Sequence, residues 1–164
     1  MHGALYGQVM TPEDFTALIA PITRRIEGRR LDAALSAQLE RAFPADGATF
    51  RAVFEECQAA IAAGWMCSRE AGGIRYGRVV KPGPATHGFS VDVVAMENVV
   101  GPHHAHPNGE IDMVMPLSAS AKFDGHGAGW AVYGPGSAHR PTVTEGKALV
   151  LYLLPQGAIE FSKA

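Results

Sequence analysis

From residue 74 onward the chain is a succession of short stretches rich in Val, Ile, Leu, Met and aromatic residues, each closed by Gly, Pro, Asn or Asp. No other feature narrows the fold as much. Strands are expected over 74–80, 89–96, 97–106, 111–117, 121–123, 129–133, 141–143, 148–153 and 158–161. Many short strands with regular turn signals argue for an antiparallel sandwich or barrel.

The chain before residue 70 has a different period. Thr11-Pro12-Glu13-Asp14 reads as an N-cap, a proline at the first helical position and acids in the first turn. Phe15, Leu18, Ile19, Ile22 and Ile26 follow at helical spacing up to Gly28, and Pro21 predicts a kink or interruption within them. A second helix is expected over 31–43, with Leu31, Leu35, Leu39 and Phe43 on one face and Pro44 as its stop. A third runs from a Thr49 cap to Ala63, with Gly64 as its C-terminal signal. Its stripe of Phe50, Phe54, Cys57 and Ile61 reads as core or dimer interface. The expected architecture is α+β and predominantly β: a helical segment of about three helices over 1–69, packed on an antiparallel β-barrel over 70–164.

Hydrophobic residues at 47% and charged residues at 18% supply a core and exclude disorder. A net charge of −2 without a Lys/Arg cluster gives no field for nucleic acid. The longest apolar run, 148–155, is far too short to cross a bilayer, and residues 1–7 lack a secretion-signal pattern. Cys57 and Cys67 form neither a redox motif nor a disulfide framework, so a reduced, cytoplasmic setting is expected. Neither a Gly-x-Gly-x-x-Gly nor a Walker loop is present, which argues against a nucleotide cofactor.

The chemistry concentrates in Gly101-Pro-His-His-Ala-His-Pro-Asn-Gly-Glu110 and in His139. Side chains alternate along a strand, so His104 and His106 project from one face toward one point. Pro107-Asn108-Gly109 is turn chemistry that bends the chain and returns Glu110 to that point. Three imidazoles and a carboxylate suit a first-row divalent ion, with iron or manganese favoured and zinc, nickel or copper possible. His103 faces away by parity; it either supports the site, which makes it a catalytic candidate, or is merely exposed.

These residues resemble the cupin superfamily. His104-Ala-His106, three residues and Glu110 match the core of its first motif, although Gly101 lies only three positions before His104. Gly134-Pro135-Gly136-Ser137-Ala138-His139 is similar to the second, with glycine in place of its proline. Carried over residue by residue, the implied metal ligands are His104, His106, Glu110 and His139, and the implied fold is a jelly roll. The runs 103–114, 127–142 and 151–161 resemble the 4-hydroxylaminobenzoate lyases of nitroaromatic degradation. That resemblance implies conversion of 4-hydroxylaminobenzoate to 3,4-dihydroxybenzoate (protocatechuate) with release of ammonia, without nicotinamide or flavin.

Asp112 should share the inward face of Glu110, as a general acid/base or as a group orienting a ligand histidine. A benzoate needs a cation for its carboxylate, and Arg75, Arg78 and Arg140 are the candidates. Trp130, Tyr133 and Phe123 could line an aromatic slot for the ring, with Tyr133 taken as substrate-binding. Two other functions fit the same ligands: a non-haem iron dioxygenase acting on a small aromatic or thiol substrate, and a barrel that binds a small molecule without catalysis. The expected partner is a small aromatic carboxylate, with a homodimer as the expected assembly and no nucleic acid or membrane.

Overall fold

Thr11 opens the first helix as its side chain predicts: Oγ1 accepts from the Asp14 amide, and the Asp14 carboxylate accepts from the Thr11 amide. This and all that follows comes from a computed structural model describing residues 10–162; the expectation about a secretion signal in residues 1–7 falls outside them. Helix α1 (Pro12–Ile26) is not interrupted at Pro21. Pro21 is exposed, as is Ala17, whose carbonyl loses its donor to the proline, so water can serve it. Helix α2 (Ala33–Ala42) begins later than expected, because the Asp32 carboxylate caps it by accepting from the Leu35 amide. Leu31 is thereby left outside the helix. Helix α3 (Ala48–Ala63) starts after Gly47 instead of at a Thr49 cap, and ends at Gly64 with φ +93°.

The strands are β1 (Arg69–Ala71), β2 (Ile74–Val80), β3 (Phe89–Val100), β4 (His104–His106), β5 (Glu110–Pro116), β6 (Lys122–Phe123), β7 (Gly129–Tyr133), β8 (Ser137–His139), β9 (Thr142–Pro155) and β10 (Glu160–Phe161). All the pairings are antiparallel. The large sheet runs β1-β2-β3-β9-β5-β7 with β6 on β9, and the small one runs β10-β4-β8. Two expected strand breaks are instead bulges. Strand β3 passes through Glu97–Val99 with Asn98 at φ +44°, and β9 passes through Glu145 at φ +61° and Gly146. The Asn98 side chain accepts from the Gly146 amide and ties the two irregularities together. The actual break falls at residues 101–103, which frees β4 to join the small sheet.

The central strands of the large sheet are buried on both faces over most of their length, which is why β3, β5 and β9 read as nearly continuous apolar runs. One face carries Val91, Val93, Ile111, Met113, Met115, Leu149, Leu151, Leu153 and Trp130. It packs with Phe15, Ile19, Ile22, Leu35, Leu39, Phe50, Val53 and Cys57 of the helices, so the helical segment and the sheet share one core. Each of these large side chains contributes roughly 2 kcal/mol of burial. The other face holds Val94, Met96, Val114, Phe123, Val150, Tyr152 and Leu154 in the barrel interior. Across that inner face one row is polar: Arg78 lies opposite Asp92, Asp92 opposite Tyr152, and Tyr152 opposite Asp112.

Candidate metal centre

His104 and His106 are buried on β4 with the less buried Ala105 between them, so period-two alternation aims both rings inward. Strand β8 lies antiparallel beside β4 and sets His139 directly opposite His104. The turn after His106 closes through a Gly109 amide bond to the His106 carbonyl at 3.1 Å and delivers Glu110 as the first residue of β5 in the large sheet. Gly109 is at φ +88°, and a Cβ there would sit 2.8 Å from the Tyr133 carbonyl oxygen and 2.5 Å from Leu31 Cδ2. Only glycine fits both the dihedral and the space.

The donor atoms of His104, His106, Glu110 and His139 all lie within 4.8 Å of one another. His104 Nε2 is 3.1 Å from His139 Nε2, and Glu110 Oε1 lies 3.1 Å from His106 Nε2 and 3.5 Å from His104 Nε2. Glu110 Oε2 is 3.7 Å from His139 Nε2. Adjacent ligands of an ion with bonds of about 2.1 Å lie about 3 Å apart, so these spacings suit one cation.

The hydrogen bonds agree. A carboxylate only accepts, so His139 Nδ1 donates to Asp124 Oδ2 at 2.7 Å. The Ser137 hydroxyl spends its proton on the Gly134 carbonyl at 2.6 Å and accepts from His106 Nδ1 at 2.9 Å. In the neutral rings of both histidines the lone pair is then on Nε2, facing Glu110. His106 Nε2 and both Glu110 oxygens are buried without a hydrogen-bond partner, as a cation site requires.

Asp124, which the sequence presents only as part of an Asp-Gly turn, is the main residue missed there. Its Oδ2 also accepts from the Tyr133 hydroxyl at 2.7 Å, and its Oδ1 accepts from the Thr142 amide at 2.9 Å. Burial pushes its carboxyl up, but the bonds from His139, Tyr133 and Thr142 outweigh that and hold it below the usual range. The same contest of burial against neighbours separates the two inner carboxyls of β5. Glu110, facing His104, His106 and Asp112, is held at about 2. Asp112, fully buried beside the Glu110 charge, is pushed well above the ordinary aspartate range.

The structure redistributes the other candidates. His103 lies outside the donor cluster; its Nδ1 meets the Ser162 hydroxyl and its carbonyl accepts from the Ser162 amide, so it clasps the chain after β10. Tyr133 is not in the lining of the cavity beside His104; its hydroxyl is committed to Asp124, and its ring packs 4.7 Å from that of His139. Trp130 is on the helical side, donating to the Phe43 carbonyl and packing on Phe50. Phe123 sits in the inner core between His139 and Tyr152. Arg75 is exposed opposite Ala95, and Arg140 is exposed beyond β8.

Arg78 alone of the three arginines lines the cavity that reaches the cluster. That cavity, of about 820 Å³, opens beside His104. Arg69, Arg78 and Lys81 line it together with Tyr76, Val94, Met96, Tyr152 and Phe161. Arg78 is not a free clamp: its Nε and Nη2 hold both Asp92 oxygens at 2.8 and 3.2 Å, and Nη2 also donates to the Gly157 carbonyl.

A two-sheet antiparallel barrel with three imidazoles and one carboxylate converging between its sheets defines a cupin-type protein with a donor set for one divalent cation. More narrowly, residues 17–161 match the sequence profile of PnbB, 4-hydroxylaminobenzoate lyase, and the chain belongs to that enzyme family. It is 30% identical over 160 residues to a 4-hydroxylaminobenzoate lyase of Nocardioides sp. (strain LMS-CY), spanning 92% of this chain and 95% of that one. It is 27% identical over 166 residues to a 4-hydroxylaminobenzoate lyase of Pseudomonas putida, spanning 91% and 94%. Among solved structures, an RmlC-like cupin protein from Ralstonia eutropha JMP134 superposes with a TM-score of 0.42 at 13% identity, over 57% of this chain and 62% of that chain.

Proposed function

We propose that this protein is a metal-dependent lyase that converts 4-hydroxylaminobenzoate to 3,4-dihydroxybenzoate with release of ammonia, within the breakdown of 4-nitrobenzoate. Beyond family membership, one observation carries this reading: a cavity with cations in its lining that opens beside the buried His/Glu cluster. A flat aromatic acid with its reactive nitrogen para to its carboxylate suits such a space.

His104, His106, Glu110 and His139 would hold the cation, with iron or manganese favoured and zinc, nickel or copper also compatible with the donors. A bound divalent ion supplies Lewis acidity to an oxygen-bearing substrate group and to water. The protein's own contribution is positional. Arg78, with Arg69 and Lys81 in the same lining, faces the ring carboxylate; Tyr76 and Phe161 wall the ring. Asp124 keeps the lone pair of His139 on Nε2, and Asp112 lies buried beside Glu110 on the inward face of β5. Its full burial supports a positioning role for Asp112 in preference to proton exchange with substrate.

The overall change takes in one water and releases one ammonia, with no electrons to an external acceptor. The N–O bond breaks with its electron pair leaving on oxygen, and water adds to the electron-poor ring carbon beside the nitrogen. The resulting ring imine is hydrolysed to ammonia before aromaticity is restored. A homodimer is supported by exposed Val100 and Phe161, and a reducing cytoplasm by two buried free thiols.

The test is an anaerobic assay of metal-analysed protein with 4-hydroxylaminobenzoate, following 3,4-dihydroxybenzoate and ammonia together. Equal release of both, lost on chelation and in His104→Ala, is expected. No product from fully metallated protein overturns the reading, and turnover that consumes oxygen transfers it to dioxygenase chemistry.

A further inference from the structure

Tyr152 sits on the inner face of β9, and none of the side-chain hydrogen bonds among the described residues involves its hydroxyl. Yet the residue is only 5% exposed, and what exposure it has opens into the cavity beside His104. The two acceptors in its own row are turned elsewhere. Both Asp92 oxygens are taken by Arg78, and neither Asp112 oxygen has a partner, so neither receives the phenol. Its ring packs 6.2 Å from the ring of His104 and 6.3 Å from that of Phe123, contacts that phenylalanine would make equally well. Its inner neighbours on the strand, Val150 and Leu154, are apolar. A hydroxyl in a cavity lining with no protein partner is free to donate to whatever occupies the cavity.

We propose that the Tyr152 hydroxyl touches the substrate, donating a hydrogen bond to the oxygen of the hydroxylamino group at the end of the cavity beside His104. The proposal rests on the lyase reading for the identity of that group. The phenol serves as a fixed dipole at the atom on which negative charge grows as the N–O bond breaks, and it transfers no proton. A donor aimed at developing charge strengthens most at the transition state, so its removal acts chiefly on kcat.

The experiment compares the metal-loaded wild type with Tyr152→Phe at equal metal content. In the variant, kcat for 4-hydroxylaminobenzoate is expected to fall at least about tenfold, with KM changed by less than about threefold. The melting temperature should not fall, because the hydroxyl has no protein partner to lose. Calorimetry with two unreactive ligands supplies a readout independent of turnover. 4-(Hydroxymethyl)benzoate, whose oxygen stands one atom off the ring as the hydroxylamino oxygen does, should bind the variant about fivefold more weakly. 4-Methylbenzoate, which offers none, should bind both proteins equally.

Wild-type affinity for 4-(hydroxymethyl)benzoate in the variant overturns the contact, as does failure of that ligand to bind the wild type. An unchanged kcat overturns the placement at the reacting end. A lowered melting temperature would make the hydroxyl structural and overturn the proposal as well. If the wild type does not turn over 4-hydroxylaminobenzoate, the lyase reading fails on its own, and the two binding comparisons still decide the role of Tyr152.

Discussion

Replacing Asp124 by Asn removes one charge and almost no volume, yet it should disable His139 as a ligand. The aspartate accepts three hydrogen bonds: Oδ2 from His139 Nδ1 and the Tyr133 hydroxyl, each at 2.7 Å, and Oδ1 from the Thr142 amide at 2.9 Å. Asparagine has one acceptor oxygen and one NH2 group. If its oxygen faces His139, its NH2 meets the Thr142 N–H, and two donors collide. The Thr142 amide cannot invert, whereas an imidazole can change tautomer and a phenol can turn. The favoured arrangement therefore keeps the oxygen on Thr142 and points NH2 at His139 Nδ1. That ring must then carry its proton on Nε2, the atom directed at the cluster. Loss of such an orienting partner costs roughly 10–100-fold in metal affinity, or about 1.4–2.8 kcal/mol. The assay is competitive titration of metal-free protein with a metallochromic chelator at pH 7, alongside thermal melts of the metal-free proteins to show that the variant folds. Affinity in Asp124→Asn within about twofold of wild type would refute this chain of reasoning.

Three further outcomes are expected. Gly109→Ala forces a Cβ to 2.8 Å from the Tyr133 carbonyl at φ +88°, so it should cost about 2 kcal/mol or more, lower the melting temperature by about 5 °C and weaken metal binding by displacing Glu110. An unchanged melt would show that the turn has room. The two carboxyls of β5 should give opposite pH dependences in metal-free protein. Glu110, depressed to about 2, contributes stability above its ordinary value near 4.5 and loses it as pH falls toward 2. Asp112, raised, contributes stability below its ordinary value near 3.8 and loses it as pH climbs toward its raised value. Asp112→Asn should therefore gain in melting temperature over wild type as pH rises from about 4 to 8, and a constant difference across that range would contradict the assignment. Finally, Arg78→Gln combined with Asp92→Asn, which leaves no unpaired charge behind, should raise KM for 4-hydroxylaminobenzoate about tenfold with kcat nearly unchanged. An unaltered KM would move the carboxylate contact to Arg69 or Lys81.

How far the site could be read from the chain depended on how local each relation is. His104 and His106 share a face through strand alternation alone, and the Pro-Asn-Gly turn brings Glu110 back within four residues. The helix limits were legible to within a residue or two because caps act within one turn, as with Thr11 and Gly64; the misplacements at Leu31 and Thr49 came from caps one and two positions away, Asp32 and Gly47. The strand breaks expected near 96 and 145 failed because a bulge and a turn use the same residues, and only the partner strand distinguishes them.

By itself, then, the sequence determined the helical and stranded halves, the inward pair of histidines with its glutamate, and the family. Tertiary structure alone decided what those residues meet. His139 reaches His104 only because β8 pairs with β4, and Asp124 reaches His139 across fifteen positions. Arg78, and not Arg75, lines the cavity beside His104 because β2 pairs with β3 in a register that sends Arg78 to the face of Asp92. Side-chain alternation says that two residues lie on opposite faces, but not which face is the interior. That assignment comes from long-range pairing, whose energy depends on contacts far apart in the chain and leaves no periodic mark within it.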